Sequence, residues 1–304
     1  MSSSTTRRAL PLVAAGLLLL GSLGAAGTAS AALTYDPAMP VILHNVTPDD
    51  LWANKNGVCT GRFTHVIRNV LGVSNATNYL NAAQHCGLKA ILYFSQTVSG
   101  GTVYPSRVAA LVNAVKNHPA LYGYLSVKEP SWVGIYPSEI RAMYKAFHAA
   151  DPNHPVVALF GDIPHFGYTA NPYTALMADI VMVDWYPVET GNGGRSLTGT
   201  SYVAGTPTFF RRVRDVVAAR TPGTPVWLMV QTFKYLTPTY HKKQRPSQTL
   251  LYRQVREGFT YLGADGLSFH TWTNSGYNID QRRDPTMVSW MNTLAGQIQA
   301  GTFQ

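Results

Sequence analysis

Charge is scarce in this chain of 304 residues: 13% are Asp, Glu, Lys or Arg, and only 15 are acids. Acid–base chemistry therefore has few candidates, and they can be sorted by elimination. Cysteine is scarcer still. Cys59 and Cys86 stand without a neighbouring His/Cys cluster, which argues against a metal site and leaves a disulfide as the expected pairing. Beyond residue 23 no apolar stretch is long enough to span a bilayer, so no membrane association is expected. No glycine-rich phosphate loop follows the first apolar run, which counts against a doubly wound dinucleotide fold. No G-x-S-x-G elbow, H-E-x-x-H helix or Ser-His-Asp spacing occurs, which excludes those hydrolase chemistries. The net charge is +9, but no nucleic-acid motif accompanies it; the excess reads as solubility or loose cell-wall adhesion. The expectation is a monomer with no cofactor, no metal and no nucleic-acid partner.

The long apolar run lies at the start. Arg7 and Arg8 precede residues 10–23, and Ala29, Ser30 and Ala31 form a small-residue cleavage pattern. Residues 1–31 thus read as a secretory signal for Sec or twin-arginine export, and residues 32–304 as one extracellular domain. An oxidising destination agrees with the disulfide, which would contribute roughly 3–4 kcal/mol in the chain-entropy picture.

Apolar runs of strand length recur at 41–46, 63–69, 88–94, 121–127, 156–160, 180–186, 226–232 and 267–273. Most are apolar almost throughout, as strands buried on both faces are. Amphipathic helices alternate with them. Pro137 opens one whose Ile140, Met143, Tyr144 and Phe147 form a stripe; Ser106 and Ser247 open two more, the last stopped by Gly263. Eight such units predict an α/β fold, a single (β/α)8 TIM barrel. Helix-to-strand connections are brief, whereas the strand-to-helix connections at 188–206, 234–246 and 274–285 are long. In this architecture the strand-to-helix loops build the working face. Cys59 and Cys86 fall on the opposite one.

Elimination among the acids follows. Glu139, Asp215 and Glu257 lie on helices; Asp151, Asp179 and Asp265 precede strands; Asp36, Asp49, Asp50, Asp280 and Asp284 lie in the lead-in or in loops. Glu129, Asp162 and Asp184 remain at strand tips, with Glu189 close behind. Asp162, in the turn-like "FGD", also suits a cap for loop amides. Trp132, Trp185, Tyr186, Phe233, Tyr235, Trp272 and Tyr277 gather at the same tips, where aromatics stack on the apolar faces of sugar rings. Some of them would instead plug the barrel mouth. His270 alternates with Trp272, so both point inward in a regular strand; His270 suits a substrate hydrogen bond better than a metal. Arg195, Lys242, Lys243, Arg245, Arg282 and Arg283 crowd the loops of this face, as a solvated rim or as a preference for anionic glycans.

The stretch "GYLSVKEPS" resembles the fourth-strand motif of the clan A glycoside hydrolases, which ends in Asn-Glu-Pro or Asp-Glu-Pro. "DIVMVDWYPV", "PVWLMVQTF" and "GLSFHTWTN" are similar to their sixth, seventh and eighth strands, and the likeness spans residues 63–273. It implies hydrolysis of a glycosidic bond in a polysaccharide or oligosaccharide, with Glu129 as general acid/base and Asp184 as the second carboxylate. Trp132, Asp162, Trp185, Tyr186, Gln231, His270 and Trp272 would line the substrate site. Two positions depart from the pattern. Lys128 replaces Asn or Asp, and an ammonium beside Glu129 opposes its use as an acid unless strand alternation points it outward. Gln231 stands where retaining members carry their nucleophilic glutamate, and a glutamine forms no glycosyl ester. Inversion with Asp184 or Asp162 as base, retention through another carboxylate, and a barrel that binds glycans without cleaving them all stay open.

Overall fold

A computed structural model describes residues 33–161, 166, 172–190, 200–235, 243–273 and 277–304. Eight parallel strands close into a barrel: β1 (Val41–His44), β2 (His65–Val70), β3 (Lys89–Phe94), β4 (Leu121–Lys128), β5 (Val156–Phe160), β6 (Ile180–Asp184), β7 (Val226–Gln231) and β8 (Gly266–His270). Each strand pairs with its sequence neighbours, and β8 returns to β1. The single (β/α)8 barrel read from the sequence is what forms. Parallel pairing demands crossovers, which are supplied by α1 (Pro48–Trp52), α2 (Val73–His85), α3 (Val108–Val115), α4 (Pro137–Ala150), α5 (Thr206–Arg220), α6 (Gln248–Glu257) and α7 (Pro285–Gln299).

The strands look apolar throughout because they are buried twice. Ile42, Ile67, Ile91, Leu125, Leu159, Met182, Trp227 and Met229 pack together inside the barrel. Their alternate neighbours, Val41, Leu43, Val66, Ala90, Val127, Val181 and Leu228 among them, form the layer under the helices. Trp227 is the largest interior side chain, and Gly266 on the adjoining strand makes room for it: a Cβ there would sit 2.5 Å from the indole. Helix starts follow local chemistry. The hydroxyls of Thr47 and Ser247 accept from the third amide of α1 and α6, and the Asp284 carboxylate does so for α7. On the N-terminal face of the barrel, Asp179 accepts from the Val156 amide, Tyr144 and His148, while Asp265 accepts from the Val226 amide. These acids are structural, as their positions before strands implied. The Cys59–Cys86 disulfide is present. Among the described residues no helix is long and apolar enough to cross a membrane.

One irregularity sets up the working face. β4 slips register twice, against β3 between Ala90 and Ile91 and against β5 between Leu125 and Val127. Leu125 points inward and Val127 outward, although residues two apart share a face in a regular strand. Ser126 absorbs the extra residue, its hydroxyl donating to the Val157 carbonyl at 3.2 Å. Lys128, which follows Val127, is thereby turned into the barrel.

Candidate active site

Glu129 follows the last residue of β4. Its amide still donates to the Leu159 carbonyl of β5 at 2.7 Å, but its φ is +46°, and Pro130 then turns the chain away. A left-handed glutamate costs about 1–2 kcal/mol, and such outliers gather where a side chain must be aimed. Here the side chain is carried over Gly161, the first residue after β5. A Cβ on Gly161 would lie 3.0 Å from Glu129 Oε1 and 2.8 Å from Asp184 Oδ1. Two oxygens so close to one point are at most about 5.8 Å apart, short of the roughly 6.5–9.5 Å of inverting pairs and compatible with the 5–5.5 Å of retaining ones. Gly161→Ala is therefore expected to wedge the two carboxyls apart and lower turnover by about 10²-fold, the scale of a small misplacement of catalytic groups. Unchanged steady-state kinetics in the alanine variant would show that the shared space is unimportant.

The two carboxyls differ in surroundings. Glu129 is partly exposed, whereas Asp184 is 2% exposed and both its oxygens are sealed from solvent. Burial pushes the Asp184 carboxyl well above its ordinary value, and the Glu129 charge adds to the effect; Lys128 and the Tyr186 hydroxyl act the other way. Neither Tyr186 nor Glu129 makes a well-formed hydrogen bond to Asp184, so their influence is one of proximity. Asp184 thus holds its proton more tightly than an ordinary carboxyl does. The stability consequence has a definite sign. Below 3.8 the folded and unfolded chains both hold the proton. As pH rises, the unfolded chain ionises first, and Asp184 increasingly disfavours the folded state. Asp184→Asn is expected to gain stability over wild type as pH rises above about 3.8, measured by denaturant unfolding across a pH series. A difference flat in pH would mean that Asp184 ionises normally.

Lys128 Nζ is 3.9 Å from Glu129 Oε2. Its charge also reaches Asp184, His44 and His270, so the ammonium extends across the mouth towards β1 and β8. The outward orientation that alternation allowed is not the one formed; the β4 bulge reverses it. His44 and His270 end β1 and β8 with their Nδ1 atoms 3.1 Å apart. Burial holds both well below the ordinary imidazole value, with Lys128 adding to the shift in each, so the pair is neutral. Tyr186 stacks on the His270 ring at 5.5 Å and Phe233 meets it edge-on at 5.3 Å. His44 was not singled out from the sequence, although it follows Ile42 by two residues, the alternation that pointed to His270.

Several expected lining residues are engaged elsewhere. Gln231 is fully buried: its Oε1 accepts from the Val188 amide, and its Nε2 donates to the Val188 and Gln244 carbonyls. It fastens the loop after β6 to the loop after β7 and has no group left for substrate. Trp272 is also fully buried, in the layer outside the strands, with its indole N–H on Asp50 at 3.0 Å. The inward orientation expected from His270 does not carry two residues further. Trp185 stacks on Phe209 of α5 at 4.3 Å and donates to Thr206, beside an external groove of about 950 Å³. Trp132, 68% exposed, is displayed one turn after Glu129 beside the exposed Tyr136. Asp162 lies outside the described residues, as do Arg195, Lys242 and the side chains of Tyr235 and Tyr277. The basic rim is largely neutralised: Lys243 pairs with Glu189, Arg245 with Asp284, Arg282 with Asp50, and Arg283 approaches Asp280. No group of three or more potential metal ligands occurs among the described residues.

No protein-family model matches the sequence, and no curated protein does. Solved structures with the same architecture include a beta-galactosidase from the psychrophilic Marinomonas ef1 (10% identity, TM-score 0.62), which matches 86% of this chain. This chain spans only 60% of that enzyme's length. GH5_18 from Streptomyces cattleya, solved in complex with GlcNAc, matches 86% of this chain and 81% of its own at 13% identity and TM-score 0.58. A beta-1,4-D-mannanase from Cryptopygus antarcticus matches 85% and 90% at 13% identity and TM-score 0.53. At such identities the likeness is one of fold: the closed (β/α)8 barrel of clan A-like glycoside hydrolases.

Proposed function

We propose that the protein is an exported glycoside hydrolase that cleaves glycosidic bonds in an oligosaccharide or polysaccharide, with Glu129 as general acid/base. The observation that carries this is the pairing over Gly161 of a solvent-reaching Glu129 with a buried Asp184, its carboxyl held above the ordinary value, at the C-terminal tips of β4 and β6. Paired carboxyls whose environments differ are how one site holds a proton and a charge at the same pH. The barrel likeness to galactosidase, mannanase and GH5_18 structures supports the same chemistry. The exposed Trp132 offers a ring face for a sugar beside the acid. Signal-like residues 1–31 and the disulfide support export.

In this scheme only Glu129 delivers a proton to the substrate. Asp184 lies beneath it and supplies the proton that Glu129 passes to the glycosidic oxygen; the charge left on Asp184 stays within reach of Lys128. Water completes the cleavage: its oxygen, with one hydrogen, bonds to the anomeric carbon as the glycosidic C–O bond breaks, and its other proton restores the one the pair gave up. Asp162 is the remaining tip carboxylate available to activate that water. A barrel that binds glycans without cleaving them is the second reading, favoured by Gln231, which is locked to the main chain where a nucleophile would stand. Incubating wild type and Glu129→Gln with mannosidic, galactosidic and uronate-bearing oligosaccharides decides between them. The hydrolase yields product only with Glu129 intact, whereas glycan binding without product over long incubation supports the second reading.

A further inference from the structure

Lys128 is the feature that the proposed chemistry uses least. Among the described residues its ammonium makes no hydrogen bond, and the acid it pairs with is Glu129, at 3.9 Å, beyond hydrogen-bond length. The side chain is 28% exposed, and the bulge in β4 turns it to the inner side of the barrel. Asp184 is sealed from solvent and held well above the ordinary carboxyl value by burial, and the two histidines opposite bring no negative charge. Rim acids that might lean in are committed to rim cations: Glu189 to Lys243, Asp284 to Arg245, Asp50 to Arg282. An ammonium with three donors, half-shielded from water, faces the space a substrate would fill.

We infer that Lys128 is the binding group for a carboxylate carried by the substrate, which makes the preferred substrate class a uronic-acid-containing glycan. This deepens the hydrolase proposal and rests on it for its catalytic part. A uronate carboxylate bound to Lys128 gives the ammonium the hydrogen-bonded anion that Glu129, at 3.9 Å, does not supply. A neutral sugar offers it no such partner. The preference therefore comes from one inward lysine and not from the described cations of the basic rim, which are paired with acids.

The experiment measures binding apart from turnover, using trisaccharides of the gluco, galacto and manno series in uronate and neutral forms, with calorimetry at low and high salt. Wild type is expected to prefer at least one uronate series by about tenfold to hundredfold, the scale of a charge-assisted hydrogen bond, with the preference falling in salt. Lys128→Met should erase the preference, Lys128→Arg should keep much of it, and Glu129→Gln should widen it by removing the anion that competes for the ammonium. Circular dichroism establishes that each variant is folded, and the arginine variant separates loss of charge from loss of fold. No preference in any series, or a preference that survives Lys128→Met, overturns the inference. The hydrolase reading fails separately: uronate binding that follows this pattern without product leaves the subsite standing and removes the catalysis. Glu129-dependent cleavage of neutral glycans that is indifferent to Lys128→Met does the reverse.

Discussion

Changing Glu129 to glutamine is expected to lower turnover of a cleaved glycan by about 10²–10⁴-fold, the range that positioned acid–base groups contribute. For a neutral glycan the fall should lie in kcat with little change in KM, because the glutamine keeps the shape and polarity that a bound sugar meets and loses only the proton transfer. Stability should hardly move. The ion pair with Lys128 spans 3.9 Å between partly exposed groups, and such pairs are worth at most about 1 kcal/mol. The left-handed backbone at this residue belongs to the turn before Pro130 and its amide bond to Leu159, neither of which depends on the carboxylate. A variant that stays folded and turns over at the wild-type rate would remove Glu129 from the chemistry and, with it, the proposed function.

The second large effect concerns an aromatic residue that has the look of a sugar platform and is something else. Trp272→Ala is expected to cost about 3–5 kcal/mol, as loss of a fully buried tryptophan does, and to lower the melting temperature by roughly 10 °C. Several contacts go together. The indole fills the layer between the strands and the helices, and its N–H donates to Asp50. Asp50 also receives Thr47 and Arg282, so it binds α1 to the last loop. The Trp272 amide donates to the His44 carbonyl, while its own carbonyl accepts from the Arg282 amide. Trp272→Phe restores much of the volume without the donor, and the interval between the two variants isolates the Asp50 bond, about 1–3 kcal/mol for a buried polar group left unmade. If Trp272 instead stacked on sugars, the alanine variant would lose glycan affinity at an unaltered melting temperature. Thermal unfolding beside binding separates these outcomes.

Much of the architecture was legible because the barrel's signals are local. A strand buried on both faces announces itself in a few consecutive residues, as 226–231 does, and loop lengths alone pointed to the end of the barrel where Glu129 and Asp184 stand. Glu129 and Asp184 could be reached by elimination because acids are few. What escaped depends on partners distant in the chain. Gln231 reads as a tip residue facing substrate until the loop carbonyls of Val188 and Gln244 are known to claim it. Trp272 reads as inward because alternation assumes that the strand continues past His270, where β8 in fact ends. Lys128 is the sharpest case. Nothing in "YLSVKEP" marks Ser126 as an extra residue, so counting along the strand gives the wrong side of the wall. The upward shift of the Asp184 carboxyl was likewise invisible, since it arises from enclosure that only the folded mouth provides.

The slip in β4 has a consequence for how such a mouth can change over generations. Side chains along a strand keep a two-step phase, and a bulge resets that phase for everything downstream of it. Here the reset lies three residues before the acid, close enough to govern what stands next to Glu129 and too short-ranged to disturb the helices outside. A lineage that lost or gained one residue at this point would exchange Lys128 and Val127 between the two sides of the wall without substituting either. The charge on the floor of the mouth is thus governed by the length of a single strand. Barrels of this kind can pass from an electrically neutral floor to a cationic one by a change in residue count, with every side chain of the parent retained.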